Sequence, residues 1–129
     1  MKAKFINLLF VLLIGALLAA ACGSSPAAAP AAAGPVGDPV AGKTKFEGTC
    51  SSCHGPDATG LPGLGKDLVT SEFAKGLTDA ELLAFVKTGR PASDPANTTS
   101  VDMPPKGGNP ALTDQDLLDI IAYLRTLEK

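Results

Sequence analysis

Cys50-Ser51-Ser52-Cys53-His54 is the stretch that decides the fold. Two thiols three residues apart on one helical turn share a face, and the residue that follows puts an imidazole beside them. That pattern reads as covalent haem attachment: both thiols add to the vinyl groups of one porphyrin, and the imidazole turns toward its iron. His54 is the only histidine in 129 residues. On this reading the first axial ligand is settled by elimination.

Two other uses of paired cysteines fit this sequence less well. A thioredoxin-like redox pair sits near a βαβ pattern, and the chain has no convincing run of β-branched strand residues. A structural zinc site needs four ligands, whereas the sequence offers one histidine and three cysteines, of which Cys22 lies far upstream. A lone histidine is ordinarily a satisfied core residue, but directly after Cys-x-x-Cys the ligand reading leads.

Met103, in Val101-Asp102-Met103-Pro104-Pro105, is the only methionine apart from the initiator. Its thioether would complete a His/Met pair, which favours ferrous iron and raises the reduction potential. A gap-filling loop methionine is the plainer alternative. The two prolines after it argue for a stiff strap, because proline fixes its own φ and restricts its predecessor.

Helix signals divide the rest. Asp38-Pro39 supplies an N-cap and a proline at the first helical position, opening a helix to about Thr49. Thr78 and Glu81 form a capping box before Leu82-Leu83-Ala84-Phe85-Val86, which ends at Gly89. Thr113 to Asp116 starts a last helix whose Leu117, Leu118, Ile120, Ile121, Leu124 and Leu127 mark an apolar stripe. A further short turn is expected near Ser71 to Ala74. Residues 55–68 and 90–111 are long loops rich in Gly, Pro, Asn, Asp and Ser, and loops of that length are usually functional. Here they would wrap the porphyrin.

From Asp38 to the C-terminus the chain resembles a class I, monohaem cytochrome c. The resemblance rests on Cys50, Cys53 and His54, on Met103, on Gly42 and Phe46 upstream, and on Asp119-Ile120-Ile121-Ala122-Tyr123-Leu124 near the end. It implies an all-α cytochrome c fold of three to five helices around one covalent haem c. It also implies that the first and last helices cross at Gly42 with an aromatic packed on each side. The residues agree independently: Gly42 permits close backbone approach, and Ile120 with Tyr123 presents one apolar face. In the resemblance Pro62 takes the place of the proline whose carbonyl accepts a hydrogen bond from the proximal histidine, which would fix the ring of His54. A plain turn proline is the alternative. Arg90 could pair with a haem propionate through its guanidinium fork, or be a solvated surface arginine.

Composition fits this picture. Without tryptophan and with 5% aromatic residues, the domain over 38–129 would have a marginal core of its own. The haem would supply the missing apolar centre.

The N-terminus speaks to location. Met1-Lys2-Ala3-Lys4 is a short basic region, residues 8–21 are apolar, and Cys22 follows Leu18-Ala19-Ala20-Ala21. This fits a signal peptide over 1–21, with Cys22 placed as in a bacterial lipoprotein, where it would be lipidated. Ala19 stands where such sites most often have leucine, so ordinary cleavage remains the alternative, giving a soluble periplasmic protein. The apolar run is short of the ~20 residues that span a bilayer. Residues 22–37 then comprise the lipidated cysteine and an Ala/Pro-rich tether, able to reach roughly 40 Å at about 3 Å per residue.

Charge says little about a partner. The chain carries a formal net charge of −2, and loss of residues 1–21 with their two lysines makes it more negative. No basic patch with aromatic platforms suggests nucleic acid. Lys43, Lys45, Lys66 and Lys106 could ring an exposed haem edge and steer an acidic partner, although scattered solvated lysines are the default.

The expected function is single-electron transfer by a tethered carrier on the outer face of a bacterial cytoplasmic membrane, not an enzyme and with no small-molecule substrate. Its partners would be a membrane redox complex and a downstream acceptor. The tether and lipid site also resemble the monohaem lipoprotein subunits of respiratory assemblies such as alternative complex III. A haem-based sensor or small haem enzyme with an open sixth site is the competing class. It requires that Met103 not bind, or bind weakly enough for carbon monoxide or nitric oxide to replace it, and no second histidine is present to serve as acid or base.

Overall fold

The computed structural model describes residues 36–129; the signal peptide, Cys22 and the tether up to residue 35 lie outside them. The described chain is helical, with α1 at Pro39–Thr49, α2 at Ser51–His54, α3 at Glu72–Gly76, α4 at Asp79–Thr88 and α5 at Asp114–Leu127. A short 3-10 turn at Pro105–Gly108 is kinked where Lys106 and Gly107 have φ of 54° and 65°. No strand occurs among the described residues. Isolated bridges join Leu61 with Gly65 and Arg90 with Met103.

The caps are those expected from the sequence. Asp38 accepts from the amides of Val40 and Ala41 at 2.8 and 3.3 Å, satisfying donors that the first turn of α1 leaves free. Thr78 with Glu81 and Thr113 with Asp116 form complete capping boxes on α4 and α5. α2 with its N-cap Cys50 is the helical turn expected to carry the Cys-x-x-Cys-His residues. Its last turn closes on Gly55, whose φ is 77°.

α1 and α5 cross at Gly42. A Cβ there would stand 1.9 Å from the Asp119 carbonyl oxygen, so only glycine lets the two backbones meet this closely. Beside the crossing, the rings of Phe46 and Tyr123 lie 5.6 Å apart at 56°, a tilted geometry that suits two aromatic quadrupoles. Phe46, Leu117 and Ile121 are the largest fully buried side chains. Together with Val69, Leu112 and Ile120 they make a small core around the crossing.

One polar group is buried in it. The Asp119 carboxylate accepts from the Asp38 amide (2.9 Å), Gln115 Nε2 (2.9 Å) and Lys45 Nζ (2.5 Å). Burial pushes its pKa up, but these donors outweigh burial and hold it below the usual carboxylate value. Asp119 thus ties the start of α1 to the middle of α5. Gly37, assigned to the tether on composition, already lies against α5: a Cβ on it would meet the Leu118 carbonyl oxygen at 2.1 Å.

Candidate functional site

The helices leave a cavity of about 460 Å³, with Cys50, Cys53, His54 and Met103 all on its walls. That volume is within the range of small-molecule and cofactor sites. Most of the remaining lining is apolar, including Phe46, Leu68, Leu82, Val86, Ile120 and Leu124. The elements bring these groups together in three ways. α2 presents the thiols and the imidazole, α4 and α5 supply the apolar wall, and the segment after Arg90 returns Met103.

Both cysteines of α2 are free thiols. Burial, and behind it the neighbouring Cys53, pushes Cys50 up to about 11. Thioether attachment leaves both sulfurs uncharged, which suits this apolar setting, whereas zinc binding needs thiolates. Among the described residues no group of three or more His, Cys, Asp or Glu gathers to hold a metal ion. The donor set therefore fits a porphyrin with its own iron better than a bare ion or a redox disulfide.

His54 Nδ1 lies 2.8 Å from the carbonyl oxygen of Lys66. This corrects the expectation for Pro62: the acceptor comes from four residues further along the same loop, and Pro62 is an exposed residue at its outer turn. The reason is steric. Gly65 lies so near α2 that a Cβ would meet the Cys53 carbonyl oxygen at 2.2 Å, and that close approach delivers the next carbonyl to the imidazole. A hydrogen bond at Nδ1 fixes the ring and leaves Nε2 for the cavity. Gly60, Gly63 and Gly65 crowd this loop in sequence, and nothing local singles out Gly65 as the one that approaches α2.

Met103 is half-buried and exchanges backbone hydrogen bonds with Arg90 in both directions, at 2.9 and 2.8 Å. Gly89, with φ of 72°, makes room for this bridge, since a Cβ on it would stand 2.2 Å from the Met103 carbonyl oxygen. The Arg90 guanidinium sits 4.6 Å from the Phe73 ring centroid and 4.8 Å from that of Phe85, within cation–π range. Its Nε is 3.3 Å from an Asp94 oxygen but off the hydrogen-bonding direction, so this buried nitrogen has no hydrogen-bond partner. An orphaned buried donor at a cavity wall fits a group that brings its own acceptor, as a porphyrin carboxylate does.

Three of the four lysines are engaged by neighbouring groups, while Lys66 lies on the cavity wall. Lys43 pairs with Glu47 at 3.8 Å, Lys45 with Asp116 at 2.8 Å and Asp119 at 2.5 Å, and Lys106 Nζ donates to the Leu112 carbonyl at 2.6 Å. Helix-surface and loop contacts take them first. No helix among the described residues is long and apolar enough to cross a membrane.

Residues 39–128 match the cytochrome c family model. The chain is 31% identical over 87 residues to cytochrome c-555 of Prosthecochloris aestuarii, an alignment covering 67% of this chain and 85% of that protein. It is 32% identical over 88 residues to cytochrome c-555 of Chlorobaculum thiosulfatiphilum, covering 67% and 93%. It is also 35% identical over 97 residues to cytochrome c4 of Thiocapsa roseopersicina, covering 73% of this chain and 42% of that one. No solved structure matches the chain at a significant level. The thiol pair, the imidazole and the cavity thus have their explanation: this chain belongs to the cytochrome c family, as a class I monohaem protein with covalently bound haem c that exchanges electrons with redox partners and is not an enzyme.

Proposed function

We propose that this protein is a His/Met-ligated electron carrier, exported and held at a membrane by its N-terminus. The observation that carries the ligation is the convergence of Cys50, Cys53, His54 and Met103 on one apolar cavity. When bound, the haem supplies one-electron exchange between ferrous and ferric iron. Cys50 and Cys53 would hold the cofactor, and His54 and Met103 would ligate its iron. The Lys66 carbonyl keeps the imidazole oriented, and the apolar walls exclude water. Arg90 is the propionate partner, its stacked guanidinium offering the Nε that lacks an acceptor.

The test is the absorption spectrum of the ferric protein, with Met103→Ala as control. Methionine sulfur on low-spin ferric haem gives a weak long-wavelength band. Its presence in the wild type and loss in the variant supports the carrier. A high-spin iron without the band would instead favour the sensor or enzyme with an open sixth site.

The location rests on residues 1–37. A basic start, an apolar run and Cys22 support export and lipidation, and the Ala/Pro-rich stretch supports a tether. Several acyl chains on Cys22, at about 0.8 kcal/mol per buried methylene, would make the attachment effectively permanent. Intact mass of the membrane-extracted protein reads the lipid directly, and unchanged electron-transfer rates in membranes after shortening the tether would remove its spacing role. We further propose a donor that oxidises quinol and an acceptor that is an oxidase, a soluble carrier or a photosynthetic reaction centre. A fixed place in a respiratory assembly of the alternative complex III type would show as co-extraction with large partners in mild detergent.

A further inference from the structure

The segment from Arg90 to Met103 leaves the end of α4 and returns to hydrogen-bond reach of its own start. Its base is closed by the Arg90 to Met103 bridge and by Asp102 Oδ1, which accepts from the Ala92 amide at 2.5 Å. Little apolar burial holds the rest, since Pro91, Ala92, Thr98, Ser100 and Val101 are all exposed. Its shape therefore depends on polar wiring, and one side chain supplies most of it.

Asn97 uses both amide hydrogens across the loop, donating to the carbonyl of Pro91 at 3.1 Å on one limb and of Val101 at 2.8 Å on the other. Its Oδ1 accepts from Thr99 N at 3.0 Å, Thr99 Oγ1 at 3.1 Å and Ser100 N at 3.1 Å. The last of these supports Ser100 at φ of 58°, a left-handed conformation that a serine does not adopt freely. Val101 is two residues before Met103, and Asn97 is half-buried on the wall of the same cavity.

We propose that Asn97 is a positioning residue for the sixth ligand: by bonding both limbs of the 90–103 loop through one amide, it keeps Met103 at the wall of the haem cavity. The proposal rests on Met103 being that ligand. A positioning residue's contribution is lost once imidazole has displaced Met103, so its removal lowers melting without imidazole but not at saturating imidazole, whereas a side chain that only stabilised the domain would act on melting in both.

The experiment titrates the ferric holoprotein with imidazole, which competes with methionine sulfur, and follows the long-wavelength band in the wild type, Asn97→Asp and Asn97→Ser. Asn97→Asp keeps the size and the acceptor but sets an oxygen against two carbonyls. Asn97→Ser keeps a hydroxyl too short to span the limbs. Each loses the two cross-limb bonds, so the open-strap population and the apparent imidazole affinity rise by about tenfold or more. A tenfold change is about 1.4 kcal/mol, so helical melting without imidazole should fall by about 6–11 °C, and at saturating imidazole variant and wild type should melt within about 4 °C of each other. Affinities within about twofold of wild type overturn the proposal, and so does a fall in melting that persists at saturating imidazole. A wild type that lacks the band overturns the Met103 reading itself, a result that does not depend on either variant.

Discussion

At the crossing of α1 and α5, a Cβ on Gly42 would stand 1.9 Å from the Asp119 carbonyl oxygen, and Phe46 beside it has no exposed surface. In the 90–103 loop, by contrast, Pro91, Ala92, Ser100 and Val101 are exposed and the fold runs through the Asn97 amide and the Asp102 carboxylate. The crossing is held by close packing and burial, whose stabilisation scales with apolar area. The loop is held by hydrogen bonds that each contribute about 1 kcal/mol net. A molecule built this way can keep its fold while letting the 90–103 loop open, because the two regions draw on different interactions.

The widest break in that contrast removes what both regions surround. Cys50→Ala with Cys53→Ala, which prevents attachment, should leave a largely unfolded chain by far-ultraviolet circular dichroism. Native-like helix content without haem would show that the crossing suffices alone. Next comes the crossing itself. Gly42→Ala forces two backbones apart and should cost about 3 kcal/mol, lowering Tm by at least about 12 °C, while the long-wavelength band persists in the molecules that remain folded. Loss of the band before the helices melt would mean that the strap depends on the crossing. Smaller is Thr113→Ala, which removes the cap of α5 and should cost about 1 kcal/mol, a fall in Tm of about 4–8 °C.

The finest test is acid. Asp116 is drawn well below the usual carboxylate value by Lys45 and then by Thr113, and Asp119 ends below it although burial opposes the shift. Both bind protons more weakly folded than unfolded. Their contribution is therefore fully present above the ordinary value of 3.8 and is lost as pH falls through the folded values. Acid unfolding monitored by circular dichroism should begin below about pH 4, and Lys45→Met should move its midpoint to higher pH. An unmoved midpoint would show that Lys45 does not hold these carboxylates down.

Much of the fold was legible because its signals are local. Asp38-Pro39, the boxes at Thr78 and Thr113, and the stop at Gly89 each act within one turn of helix, and the helices start and end where those residues place them. Gly42 was legible for a different reason, since a glycine inside a helix is costly without a packing role. The acceptor for His54 was not. Pro62 and Lys66 share one loop, and the choice between their carbonyls is made by how closely Gly65 approaches α2. Asn97 was hidden likewise, because its partners Pro91 and Val101 become neighbours only when the loop closes.

By itself, then, the sequence determined the covalent chemistry and the helical frame: Cys50, Cys53 and His54 are contiguous, and caps and apolar stripes act over one or two turns. Only the tertiary structure decided which carbonyl orients His54, what holds Met103 and where Arg90 lies. Each of those depends on backbone segments meeting across the cavity, at distances that spacing along the chain does not encode.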